Sequence, residues 1–208
     1  MFSNYFMDEL IKKRAIYFIG SLFLIFGIAA IVNTIIYVND GLAPILWFSY
    51  IGLIVLAIGC FRRSGELIAS QLCILVIPYI IWNIDFFAYL FNGVSVWGTA
   101  DYIFASGALF GKIISLQHIF NIPLSLFVLY LIGLKRRDFW KISVVEVVIL
   151  FFVSRLATTP EQNVNCVYHN CASFDFGIWY PLEWFLVYGV MIALTSFLLN
   201  KILYKLGN

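Results

Sequence analysis

The stretch 133–141, GLKRRDFWK, separates two long apolar runs and carries the densest positive charge in the chain. Three further basic clusters lie beside apolar runs, at 12–14 (KKR), at 62–63 (RR) and around Lys201 and Lys205. The four clusters hold eleven of the 13 Lys and Arg residues and occupy every second gap between apolar runs. Such an alternation is typical of polytopic membrane proteins, in which basic loops stay on the cytoplasmic side. It therefore predicts how the chain crosses the bilayer.

Composition supports the membrane class and argues against two others. Hydrophobic residues make up 63% of the 208 residues, and charged residues make up 12%. Soluble domains are about 45–50% apolar and about 25% charged, so this chain has too few polar side chains to cover a water-facing surface. The positive clusters are explained by orientation in the membrane, and none is interleaved with aromatic residues as in a nucleic-acid interface. With no internal repeat, residues 1–208 are predicted to form a single membrane domain.

The apolar runs predict an all-α transmembrane bundle with six spans and both termini on the cytoplasmic side. The spans are predicted at 15–38, 42–61, 67–91, 112–134, 142–158 and 179–200. One helix needs about 20 residues to cross the bilayer, and the fourth apolar region, from Tyr102 to Leu134, is much longer than that. We therefore interpret 102–111 as an outer segment, either interfacial or re-entrant, that precedes span four.

The lipid bilayer is thus the predicted partner of this chain, and the plasma membrane is its predicted location. The endoplasmic reticulum membrane follows the same orientation rule and stays open as an alternative. No sequence feature indicates whether the chain forms homo- or hetero-oligomers.

The four cysteines divide by depth. Cys60 and Cys73 fall inside spans and are interpreted as packing residues. Cys166 and Cys171 fall in the longest outer loop, where an oxidising environment would allow a disulfide. Two alternatives stay open for this pair, namely a metal site with His169 and free thiols. The spacing matches no zinc signature, so we predict neither a metal nor a cofactor.

Polar residues lie within or beside the outer half of four predicted spans. They are Asp85 in span three, His118 and Asn121 in span four, Arg155 in span five and Glu183 in span six. A charge at the bilayer centre costs at least about 2.5–3.5 kcal/mol, so such groups usually pair with each other or line a wet cavity. The pattern therefore predicts an outward-facing polar pocket, with Arg155 paired to Asp85 or Glu183.

Simpler interpretations exist for most of these residues. Arg155 and Glu183 could reach the membrane interface by snorkelling, and His118 could be a hydrogen-bonded structural residue. Glu146, about one turn inside span five, is expected to face the interface or to pair with Lys141. It is therefore left out of the predicted pocket.

Three short elements carry a resemblance to a known group of proteins. They are Ser115-Leu116-Gln117-His118 followed by Pro123, the basic stretch 133–140, and Asn163-Val164-Asn165 in the last outer loop. Together they resemble a pattern in uncharacterised prokaryotic polytopic membrane proteins, over roughly residues 100–170. The resemblance implies that His118, Asn163 and Asn165 belong to one outer site. It implies no activity, and the cysteine pair departs from the pattern.

Three classes of function fit these features. The first is a protein that binds or carries a small polar solute or a lipid headgroup in the outer pocket. The second is a membrane-embedded enzyme that acts on a lipid or lipid-linked substrate through His118, which could serve as a general base. The third is a structural or accessory subunit whose polar residues mediate helix packing. The sequence does not decide whether the chain is an enzyme.

Overall fold

The computed structural model describes residues 2–37, 41–171 and 176–206, and its regular secondary structure in these ranges is helical. The α-helices are α1 (Phe2–Tyr37), α2 (Phe48–Arg62), α3 (Gly65–Asn92), α4 (Asp101–Phe104), α5 (Leu109–Ser115), α6 (Gln117–Ile132), α7 (Trp140–Ala157) and α8 (Tyr180–Leu206). Two 3-10 turns, Ala43–Leu46 and Val164–Cys166, lie in the connections before α2 and after α7. The predicted all-α class is confirmed.

Four stretches of helix are long and apolar enough to cross a membrane. They are Asp8–Ile36, Gly65–Asn92, Leu109–Ile132 and Tyr180–Ile202. They correspond to the predicted spans one, three, four and six. The chain is therefore compatible with an integral membrane protein.

Predicted spans two and five coincide with α2 and α7, which do not meet these criteria of length and apolar composition. α2 has 15 residues, which correspond to about 22 Å of helix, against a hydrocarbon core of about 30 Å. α7 has 18 residues but carries three charged side chains, Lys141, Glu146 and Arg155. The count of six spans and the orientation of the chain thus stay predictions.

Two boundaries differ from those expected. Span one was expected to begin at residue 15, but α1 runs without a break from Phe2. Span four was expected to begin at Lys112, but the apolar helical stretch begins at Leu109. The segment 102–111 contains α4 and the start of α5, and its depth in the membrane stays a prediction.

The tight turn between α2 and α3 lies against the end of α6. Ser64 caps α3, since its Oγ accepts a hydrogen bond from Leu67 N at 3.3 Å. The next residue, Gly65, lies against the end of α6, where a Cβ would come within 2.0 Å of Gly133 O. Only glycine permits this approach.

α3 is the central helix of the bundle. It packs against α2, α6, α7 and α8. In its apolar stretch 56% of the residues are buried, compared with 33% in the apolar stretch of α1. Ile68 and Leu72 on α3 are fully buried, together with Leu56 on α2 and Leu129 on α6. The outer faces of the bundle are apolar as well, as a lipid-facing surface requires. Leu156, for example, is 88% exposed.

We call the end of the bundle that carries the basic clusters its basic end. The charged residues there form a different ion pair from the one expected. Lys141 forms an ion pair with Asp138 at 3.5 Å and not with Glu146. Asp138 also accepts a hydrogen bond from Arg136, which lowers the pKa of Asp138. Glu146 instead accepts a hydrogen bond from Gln71 on α3. The expectation that Glu146 faces the interface or pairs with Lys141 is therefore wrong, because α7 turns this side chain toward α3.

The membrane crossing of α7 can be tested with two variants of a chain whose Cys60 and Cys73 are replaced by Ala. Cys166 and Cys171 stay in their disulfide, so each variant has one free thiol, at the added cysteine. We expect Arg137→Cys to react with a membrane-impermeant maleimide only from the cytoplasmic side, and Glu161→Cys only from the opposite side. Both positions are exposed, so access to reagent depends on the side of the membrane alone. The parent chain without added cysteine is the control. Labelling of both positions from one side would show that α7 does not cross.

Candidate functional site

A ladder of hydrogen bonds joins α3 to α6. Tyr79 Oη and Asn121 Nδ2 both donate to Gln117 Oε1, each at 3.1 Å. Ser125 Oγ continues the ladder by donating to Asn121 Oδ1 at 3.3 Å. All four side chains are buried, so the predicted site residue Asn121 is satisfied within the helix interface.

His118 lies beside this ladder, where Leu116 interrupts the helix between α5 and α6. Its Nδ1 is 2.7 Å from Ser115 O, and because a carbonyl oxygen only accepts, Nδ1 carries a hydrogen. In the neutral ring Nε2 is then an acceptor. The imidazole lies between the rings of Tyr79 and Trp82, with centroids 4.5 Å and 4.6 Å away. The side chain thus satisfies a carbonyl at the end of α5, and its Nε2 lies 3.5 Å from the amide nitrogen of Gln117.

Asp85 anchors the loop that follows α3. Its carboxylate accepts hydrogen bonds from the backbone N–H groups of Val96, Trp97 and Thr99 and from Thr99 Oγ1, at 2.6–2.9 Å. The side chain is fully buried. Four donors compensate its charge without a cation.

Asn163 organises the loop between α7 and α8, which the sequence predicts to be the last outer loop, from a left-handed backbone conformation (φ +39°). Its Oδ1 accepts from Tyr168 N at 3.0 Å and His169 N at 3.2 Å, and its Nδ2 donates to His169 O at 2.9 Å. The same loop is closed by a disulfide between Cys166 and Cys171, whose Cα atoms lie 5.7 Å apart. The cysteine pair was predicted correctly. Free thiols and a metal site at this pair are excluded while the bond is intact.

Asn165 joins this loop to three other parts of the bundle. Its Oδ1 accepts from Phe48 N at 2.8 Å, and its Nδ2 donates to Leu46 O at 2.7 Å and Ser154 Oγ at 3.1 Å. Its backbone oxygen accepts from Trp184 Nε1 at 3.0 Å. The amide thus substitutes for backbone partners at the start of α2.

Arg155 presents its guanidinium to aromatic rings. The guanidinium carbon lies 5.4 Å from the ring centroid of Phe151 and 5.1 Å from that of Tyr168. The hydroxyl of Tyr168 in turn contacts Arg155 O at 2.7 Å and Thr158 O at 2.6 Å, which fixes the ring beneath the cation. Cation–π contacts of this kind are worth about 0.5–2 kcal/mol.

The expected ion pairs of Arg155 are not formed. No salt bridge within the described ranges joins Arg155 to Asp85 or to Glu183. Glu183 is 3% exposed and accepts a hydrogen bond from Asn170 Nδ2 at 3.3 Å. Asp85 is satisfied by its own loop.

The predicted site residues fall into two groups. The first is Asp85, His118 and Asn121 around α3 and α6; the second is Arg155, Asn163, Asn165 and Glu183 around the loop between α7 and α8. Among the residues that the structure describes, no hydrogen bond or ion pair connects the groups. Their sharing of one pocket stays a prediction. Sequence reasoning missed Tyr79 and Gln117, whose only signal was a polar atom inside an apolar run.

Other features of the surface do not overlap with these residues. An open groove of about 340 Å³ lies between α7 and α8 and is lined by Trp140, Val144, Gly189, Ile192, Ala193 and Ser196. It lies toward the basic end of the bundle. Over 2–37, 41–171 and 176–206, no three His, Cys, Asp or Glu side chains come together as a metal site would require.

No family model, curated protein or solved structure matches this chain. The resemblance described above therefore gains no support from these comparisons.

Replacing Asn165 by Ala should lower the free energy of unfolding by about 2–6 kcal/mol, because it leaves the buried Phe48 N and Leu46 O without partners at about 1–3 kcal/mol each. Unfolding of the purified protein in detergent measures this loss. Asn165→Gly removes the same amide, but glycine adopts the positive φ of this position without strain. The stability that this variant loses therefore reports the missing hydrogen bonds and no backbone strain. Asn92→Ala, at an exposed position, is the matched control. Equal stability of the Asn165 and Asn92 variants would contradict this role.

Replacing Asp85 by Asn should release the loop 94–100, because an amide cannot accept from all four donors and its nitrogen opposes some of them. Hydrogen exchange should become faster at the amides of Val96, Trp97 and Thr99, while the helices keep their protection. Asp101→Asn changes an exposed carboxylate beside the same loop and should have no such effect. Unchanged exchange in the Asp85 variant would show that the loop is held by other contacts.

Proposed function

We propose that the chain is a six-span protein of the plasma membrane with both termini in the cytoplasm. The alternation of basic loops supports this orientation. The disulfide supports it independently, because Cys166 and Cys171 lie in a loop that the charge pattern assigns to the outside, where disulfides persist. α2 and α7 then cross the bilayer as the two shorter spans.

We further propose that the outer face binds a small polar solute or a lipid headgroup through an anionic group, such as a phosphate. One observation carries this proposal: Arg155 is a half-buried cation held on two aromatic rings, and no acid among the residues that the structure describes forms a salt bridge with it. A guanidinium offers five donors in a planar fork that matches phosphate and carboxylate oxygens. Tyr168 orients this fork and gives it no acceptor.

The loop around Arg155 has the rigidity that a binding site needs. The disulfide, Asn163 and Asn165 fix the backbone, and Tyr180 Oη donates to Cys166 O at 2.5 Å. A prearranged site loses less entropy on binding than a mobile one. Glu183 supplies an acid on the neighbouring helix, which would favour a ligand that also carries a cation or a hydroxyl.

In this proposal the α3–α6 group supports the site. Asp85 fixes the loop 94–100, and Asn121 fixes the interface of the two helices. One observation favours an enzyme as the second candidate, namely that the hydrogen on Nδ1 makes Nε2 of His118 an acceptor, with only the amide of Gln117 near it, at 3.5 Å, in the described ranges. No serine, cysteine or carboxylate is hydrogen-bonded to this nitrogen in the described ranges, so binding is the better-supported function.

The proposal predicts that Arg155→Gln weakens binding of an anionic ligand by about 10- to 100-fold, because charge-assisted hydrogen bonds contribute about 1.5–3 kcal/mol. Two probes distinguish the sources of the anion. Phosphatidylglycerol in nanodiscs, followed by native mass spectrometry, tests a headgroup, and glycerol phosphate added to protein in phosphatidylcholine nanodiscs tests a free solute.

Lys201→Gln is the matched control, because Lys201 is also a cation over an aromatic ring but lies at the basic end of the bundle. Arg155→Lys should retain part of the affinity, since it keeps the charge but loses the fork. Equal binding by wild type and Arg155→Gln for both probes would refute the site and favour a structural subunit. Turnover of a lipid substrate that is lost in His118→Gln would favour the enzyme.

A further inference from the structure

Gln71 and Glu146 form a polar contact in the half of the bundle that carries the basic clusters. Gln71 Nε2 donates to Glu146 Oε2 at 2.5 Å, which joins α3 to α7. Each residue lies six positions inside its helix, or about 9 Å along the axis. Beside this contact, Ser143 Oγ donates to Ser70 O at 2.8 Å, so the two helices are closely packed here.

Two oxygen atoms of this contact have no hydrogen-bond partner among the residues that the structure describes. Gln71 is 0% exposed, yet its Oε1 makes no hydrogen bond, and the same holds for the buried Oε1 of Glu146. Each such group costs about 1–3 kcal/mol. An ionised Glu146 would add an uncompensated charge, because Lys141 on the same helix is paired with Asp138.

We propose that Gln71 and Glu146 are a proton-binding site. Glu146 takes a proton from water and becomes a neutral carboxylic acid. Its O–H then donates to Gln71 Oε1, while Gln71 Nε2 still donates to the other carboxyl oxygen. A single proton thus removes the charge and satisfies both orphaned oxygens through a ring of two hydrogen bonds.

The surroundings favour a proton over a metal ion. Calcium and magnesium take six or more oxygen ligands, and this contact offers two free oxygens. On the α2 side, Gly52 faces Gln71 Oε1, where a Cβ would lie 3.2 Å from that oxygen. α3 adds the buried thiol of Cys73. Around the groove beside α7, α8 presents only groups that do not titrate, among them Ser196.

This proposal does not depend on the outer site. Its test uses the purified full chain in nanodiscs of phosphatidylcholine, without any added ligand. The probe is the proton itself, followed by infrared difference spectra between wild type and Glu146→Gln across neutral pH. Glu146→Gln is isosteric with the protonated acid, so it keeps a neutral partner for Gln71.

A protonated Glu146 should contribute a carboxylic C=O band at neutral pH that shifts in D₂O and is missing from Glu146→Gln. Gln71→Leu should keep this band but move its frequency, because the O–H loses its acceptor. Glu161→Gln removes an exposed acid and should instead remove carboxylate bands. Loss of carboxylate bands from Glu146→Gln at neutral pH would overturn the proposal, because Glu146 would then be ionised.

Discussion

The first backbone groups of a membrane helix need partners inside the protein, because lipid offers none. In this chain the amide of Asn165 bonds Phe48 N and Leu46 O at the start of α2. The same residue reaches Ser154 on α7 and Trp184 on α8. The end of the bundle at which α2 begins therefore depends on one side chain that enters it from a loop. The disulfide and Asn163 act with it by keeping that loop folded.

Most polar side chains in the bundle serve its architecture. The carboxylate of Asp85 accepts hydrogen bonds from four donors of one loop, and the amide of Asn121 is hydrogen-bonded to Gln117 and Ser125. Two ionisable groups are different. Within the described ranges, Arg155 is a cation with no acid in a salt bridge to it, and Glu146 is an acid with no cation in a salt bridge to it. They lie toward opposite ends of α7, so function is best sought along this helix.

The sequence predicted those parts of the fold that depend on local composition. A run of more than about 20 apolar residues specifies a helix that can cross a bilayer, and four such helices are present. Partners distant in sequence could not be predicted in this way. Asn165 bonds residues 117 and 119 positions away, and Glu146 was assigned to Lys141 because Lys141 is its nearest basic residue in sequence. The rotation of α7 that turns Glu146 toward Gln71 depends on packing with α3, which periodicity alone does not specify.

The shortness of α2 has a consequence for the membrane around it. A helix of about 22 Å leaves about 8 Å of the hydrocarbon core uncrossed if α2 spans the bilayer. The 3-10 turn Ala43–Leu46, which precedes α2, and Asn165, which contacts this turn, would then occupy this depth. Lipid beside α2 would have to thin to match the short helix, whereas lipid beside α1 and α3 would not. The protein would then sit in a bilayer of uneven thickness, with the thin sector next to its outer loop.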